Sequence, residues 1–171
     1  MNRRRATGGM PAENVARDRK FWAELVALRA SCGALPQHAG AGYGHRRFAI
    51  IRNAAWVTLY RAIAPFPQIG VFLRCTGLAG DGLFTLADRR REDIEPRLWA
   101  ELGPGAELEW GSSHHPGMTD IAAIIAAPFP WDDAAAGLHI AWLLRTGGTW
   151  WRVFSALVGE CAACPAESIK F

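Results

Sequence analysis

Lysine is almost missing from this chain: Lys20 and Lys170 are the only two among nineteen basic residues, the other seventeen being arginine. No lysine lies between positions 21 and 169. That gap removes P-loop phosphate binding and a lysine Schiff base from the body of the fold. Long apolar runs are missing as well. No stretch approaches the ~20 residues of a membrane span, and the opening Met1-Asn2-Arg3-Arg4-Arg5 lacks the apolar segment of a secretory signal. A soluble, cytoplasmic protein without membrane contact is therefore expected. There is no Gly-x-Ser-x-Gly elbow and no serine placed as a nucleophile; Ser112-Ser113-His114-His115 resembles a triad only as letters, because a triad is set by geometry. Cysteine is sparse. Cys161 and Cys164 form a single Cys-x-x-Cys, half of a zinc site, and Cys32 and Cys75 do not read as its other half. The adjacent His114 and His115 cannot easily turn toward one ion. Ordinary reduced cysteines, no metal and no cofactor are the expectation.

Half of the 171 residues are apolar, and eight tryptophans and eight phenylalanines supply many core anchors, each hiding on the order of 150–250 Å². One domain over residues 11–160 is expected, between a flexible basic tail at 1–10 and a C-terminal tail at 161–171. Arginine suits bidentate recognition of phosphate and carboxylate. The codon usage of a GC-rich genome explains the same bias without any function. A net charge of +3 and a pI near 8.9 permit nucleic-acid binding without requiring it.

The apolar stripe of Val15, Phe21-Trp22, Leu25-Val26 and Leu28 predicts a helix from Pro11 to about Cys32, followed by a glycine- and proline-rich loop over 33–44. Three strand-like runs come next, Arg47–Arg52, Ala55–Ile63 and Ile69–Thr76, joined by a tight turn at Asn53-Ala54 and a longer one at Ala64–Pro67. A helix over 81–102, bent or divided at Pro96, ends at Gly103. Glu107–Gly111 reads as a strand, and the isoleucines of Asp120–Ala127 favour a strand there too. Asp132-Asp133 caps a helix over 134–145, stopped by Gly147-Gly148, and Thr149 opens a last helix to Val158. The fold class is α+β: a mainly antiparallel sheet of about five strands packed by helices, in the order α-β-β-β-α-β-β-α-α.

Within that order stand Phe21-Trp22 on the opening helix, Ile94-Glu95, then Leu102-Gly103 before a strand bearing Trp110. His139, Trp142 and Leu143 follow on a late helix, with Val153-Phe154 after them. This succession, over residues 21–158, resembles the bacterial domain of unknown function family 4268. The spacing from Ile94-Glu95 to Leu102-Gly103, and the glycine pair at 147–148, depart from the family pattern. Its members often stand beside or fused to restriction-type nucleases, so the resemblance implies a defence or DNA-processing setting. It supplies no catalytic residue.

The α-β-β-β-α-β beginning also resembles the core of PD-(D/E)XK nucleases, which hold a metal through strand acids and a lysine. Here Ala55–Tyr60 and Val71–Cys75 contain neither. Acids elsewhere, such as Glu24, Asp81 or Asp88, leave a divergent metal-dependent nuclease as the third choice. Gly77–Gly82 sits where a phosphate-binding loop would, although its spacing misses the dinucleotide fingerprint. His139 and Trp142 share a helical face, where a histidine packed on aromatics is the commoner outcome. Asp88–Asp93 reads as a wet helical face.

One constellation points to binding. Side chains alternate along a strand, so Trp56, Thr58 and Tyr60 share a sheet face. If the register sets Phe72 and Arg74 beside them, that face interleaves aromatics with arginine, and Arg47 and Arg52 stand at its edge. Exposed, it suits stacked bases and phosphates; covered, it is core or a dimer interface, the reading preferred here. The leading expectation is a non-catalytic accessory or regulatory module of a restriction or defence system. It would contact nucleic acid or a nuclease partner, its arginine-rich edges (Arg46, Arg47, Arg52, Arg61, Arg74, Arg89–Arg91) adding support. The alternative is a protein-interaction or inhibitor module that dimerises through an aromatic surface.

Overall fold

A computed structural model describes residues 12–32, 35–37, 40–42, 44–62, 66–113, 115–128 and 131–161. The expected tail at 1–10 and all but Cys161 of the expected tail at 161–171, together with Pro11, Ala64-Pro65 and His114, lie outside the described residues. The fold is α+β, as the sequence predicts. Helix α1 (Ala12–Cys32) precedes a short β1 (Gly40–Gly42) and the meander β2 (His45–Ile51), β3 (Ala55–Ala62) and β4 (Gln68–Thr76). Helices α2 (Gly77–Arg89) and α3 (Arg91–Leu102) lead to the hairpin β5 (Ala106–Ser112) and β6 (Met118–Ala126), and α4 (Asp133–Val158) closes the chain. The sheet order is β1-β2-β3-β4-β6-β5, every neighbouring pair antiparallel. Strand β6 thus returns beside β4, leaving β5 at the edge.

Alternation along the strands builds two unlike faces. Val57, Leu59, Val71, Leu73, Ile121 and Ala123 point one way and are fully buried. The helices pack on that side. Tryptophans fasten them through indole N–H groups that donate to backbone carbonyls: Trp150 to Ile121 at 3.2 Å, Trp142 to Leu102 at 2.9 Å, Trp151 to Ala49 at 3.2 Å. An indole needs a partner for its N–H when buried, and these bonds give it one while the ring fills the core. Leu98 and Leu102 are buried from α3, and Leu108 and Trp110 pack against the core from β5.

Three local expectations are corrected. The chain between β4 and β5 divides at Arg90, not at Pro96. Arg90 leaves helical geometry at φ −104°, ψ 20°, donating to the Leu86 and Ala87 carbonyls while Asp93 and Ile94 donate to its own. Pro96 and Glu92 are both exposed, and α3 runs through the proline although the Glu92 carbonyl has no donor there. The glycine pair at 147–148 does not stop a helix; α4 runs unbroken through it. Both glycines are buried, and a Cβ on Gly147 would overlap the side chain of Leu59, so a close approach to β3 selects glycine there. The loop expected over 33–44 contains β1, paired to β2 through Gly40–Gly42. Other boundaries follow expectation: Asn53 takes the positive φ of 61° in the β2–β3 turn, and the Asp132 carboxylate caps α4 by accepting from the Ala135 N–H at 2.7 Å.

Candidate functional site

The register brings the aromatic and arginine residues together. Thr58 pairs with Phe72 and Trp56 with Arg74, and Arg47 lies opposite Thr58 on the other side, so Arg47, Trp56, Tyr60, Phe72 and Arg74 share one face. Arg52 sits apart, exposed in the β2–β3 turn. This is the face away from the helices. Arg47, Glu107, Glu109 and Ala126 are exposed on it, and Trp56, Tyr60, Phe72, Ala122 and Ile124 are half-buried. Sequence alternation alone marks both faces as apolar; the helical layer decides which one is open.

The open face is built, not merely uncovered. The Tyr60 ring lies down over Gly70, its register partner, where any Cβ would overlap the ring. Gln68 donates to the Tyr60 hydroxyl at 3.3 Å, and the ring meets Phe72 with centroids 5.6 Å apart. Burial, and then the nearby Glu109 charge, push the Tyr60 phenol up to about 12. Arg47 holds its guanidinium 5.5 Å from the Trp56 ring. Beside Tyr60 and Phe72 the face dips into a hollow of about 350 Å³ floored by Ala122 and Ile124, with Glu109, Arg74 and Asp120 at its wall.

Arg74 differs from the expectation of a free phosphate contact. Its Nε and Nη2 donate to the two Asp120 carboxylate oxygens at 2.8 and 2.7 Å, and Nη2 also reaches Ser113 Oγ at 3.0 Å. A bidentate, half-buried pair of this kind leaves no net charge to offer. The arginine-rich edge is corrected as well. Arg46 and Arg61 point to the helix side, where Arg46 stacks on Trp22 at 4.9 Å and Arg61 lies 3.8 Å from both the Phe21 and Trp131 ring centroids. Arg91 covers Trp110 at 5.0 Å and pairs with Glu95, and Arg90 pairs with Glu160.

The Arg61 cluster is a second polar centre that the sequence did not suggest. Asp18 is only 8% exposed; it accepts from Trp22 Nε1 at 3.1 Å and from the Gly44 N–H. Burial raises its pKa against the attraction of Arg61, while burial lowers that of Arg61 to about 10. His139 stands edge-on to Trp131, centroids 6.3 Å apart, the packed-histidine outcome. Burial and then the Arg61 charge lower its pKa from 6.5, Asp132 opposing them. The imidazole thus stays neutral in the fold while the unfolded chain takes up its proton near 6.5. Stability should fall as pH drops below that value and level off once the folded histidine is also protonated. His139→Gln should flatten this acid limb, read from urea midpoints between about pH 7 and pH 5.

The remaining sites expected from sequence do not assemble. Gly77–Gly82 is the first turn and a half of α2, with Gly80 buried, so it forms no open phosphate loop. Asp81 and Asp88 are exposed on α2 and Glu24 on α1, and no group of three metal-ligating side chains occurs among the described residues. Cys75 is buried, its thiol pushed up to about 12 by burial and then by Asp120 and Asp81. Cys161 is disulfide-bonded, correcting the expectation of reduced thiols. No described helix is long and apolar enough to cross a membrane. Comparison with protein-family models, with curated proteins and with solved structures returns no match.

Proposed function

We propose that the protein is a non-catalytic, cytoplasmic docking module of a bacterial restriction or defence system, and that it grips a protein partner through the open face of its sheet. The setting comes from the family 4268 resemblance. The single observation that supports the mode of action is a half-buried aromatic face on which Arg74, one of its two arginines, is already held by Asp120 within the same fold. A nucleic-acid platform needs cations free to meet phosphates. Here Glu107, Glu109 and Asp120 share the face with Arg47 and Arg74, three acids to two arginines, so it carries no positive excess. Mixed charge around aromatic anchors is the composition of a protein interface.

The test has two arms. A photo-crosslinking phenylalanine analogue at position 72 should trap protein in native cells, while the same group at Leu138, 73% exposed on α4, should trap none. Labelled single- and double-stranded oligonucleotides should show no binding at low salt. Tight oligonucleotide binding that weakens steeply with salt would replace the protein partner with nucleic acid.

A further inference from the structure

Resting on that docking reading, we propose that the occupant of the open face is a second copy of this chain, related by a two-fold axis that runs parallel to the strands above Phe72. Arg47, Thr58, Phe72, Ala122 and Glu109 form one row straight across β2, β3, β4, β6 and β5. Phe72 is its midpoint, and the ends carry opposite charges. A two-fold axis along the strands reverses the row without shifting it. It therefore sets Arg47 of each copy against Glu109 of the other, with Phe72 meeting Phe72.

The neighbouring row behaves the same way. It runs His45, Tyr60, Gly70, Ile124, Glu107, and reversal brings His45 to Glu107 and Tyr60 to Ile124. Shape follows charge. Strand β3 carries the bulky Trp56 and Tyr60, whereas β6, its counterpart across the axis, carries Ala122 and Ile124 on the floor of the hollow. The high side of one copy thus covers the low side of the other. Neither Arg47 nor Glu109 takes part in an ion pair among the described residues, so both are available to a partner. An axis perpendicular to the strands would instead set Arg47 near Arg47 and the glutamates near glutamates, and like charges face to face disfavour it.

The area is sufficient. Five strands at ~4.8 Å by about eight residues at ~3.3 Å give on the order of 600 Å² per copy, near the ~800 Å² per partner of a standard interface. Two sheets packed face to face in near-aligned fashion are a common way to build a core.

Sedimentation equilibrium of the full chain should show concentration-dependent association to twice its 18.7 kDa mass. Arg47→Glu and Glu109→Arg, both exposed positions, should each weaken association by about tenfold or more. An equimolar mixture of the two variants restores both cross-copy contacts and should recover wild-type association, as should the double variant. A wild-type monomer at several hundred micromolar would overturn the proposal. So would single variants that associate like wild type, or a mixture that fails to recover. In those cases a Phe72 adduct to a different protein leaves the docking reading standing; no adduct of any kind removes both.

Discussion

Replacing Gly80 by alanine is expected to cost about 3 kcal/mol, although alanine is the better helix former by ~1 kcal/mol. The sign reverses because of where β4 hands over to α2. A Cβ at position 80 would overlap the carbonyl oxygen of Ala54 and sit 3.1 and 3.2 Å from backbone carbons of Cys75. That same carbonyl accepts from the Thr76 N–H at 2.8 Å, so it cannot withdraw without losing that bond. Backbone atoms have no rotamer to yield. Gly147→Ala is the control, since its Cβ meets the end of the Leu59 side chain. It should cost less, and Leu59→Val in the same chain should recover part of the loss. Urea midpoints of the variants check this, and a Gly80→Ala protein as stable as wild type would refute the packing argument.

The second large effect belongs to Arg61→Met, expected to destabilise by about 2–4 kcal/mol. Methionine keeps the apolar stem, so the loss isolates the guanidinium. Arg61 as a residue is 8% exposed, and its guanidinium lies 3.8 Å from two ring centroids, one on α1 and one just before α4. Removing it also leaves the buried Asp18 without its principal positive neighbour. Asp18→Asn added to Arg61→Met should therefore recover part of the stability, because the orphaned carboxylate is gone. If the double variant is less stable than Arg61→Met alone, the charge account is wrong and the hydrogen bonds to Trp22 and Gly44 dominate. Guanidinium or urea unfolding at neutral pH distinguishes these cases.

Much of the fold is legible from alternation and punctuation. The isoleucines of β6, the Asn53 turn and the Asp132 cap carry local reasons that tertiary structure does not contradict. The misread places are those where a distant contact outweighs a local preference. Gly147 follows the nearness of Leu59, and the break at Arg90 follows the packing of two short helices rather than a missing donor at Pro96. The candidate face was readable as a set of side chains on alternate positions of β3 and β4. Its openness was not, because Val57 and Leu59 are as apolar as Trp56 and Tyr60, and only the helical layer breaks that symmetry. The state of Arg74 was hidden for a related reason: its partner Asp120 lies 46 positions away. Arg61 was hidden too, as arginine at a strand end usually reads as solvated.

The return of β6 to the side of β4 has a consequence in time as well as space. The β2–β3–β4 meander and the β5–β6 hairpin each form from contacts close in sequence. The seam that joins them must close a loop from Thr76 to Met118, its register partner. Long-range strand pairing of this kind paces folding. The Arg74–Asp120 bridge falls on that seam. It is a stitch across that joint, and amide exchange in β4 and β6 would report its opening.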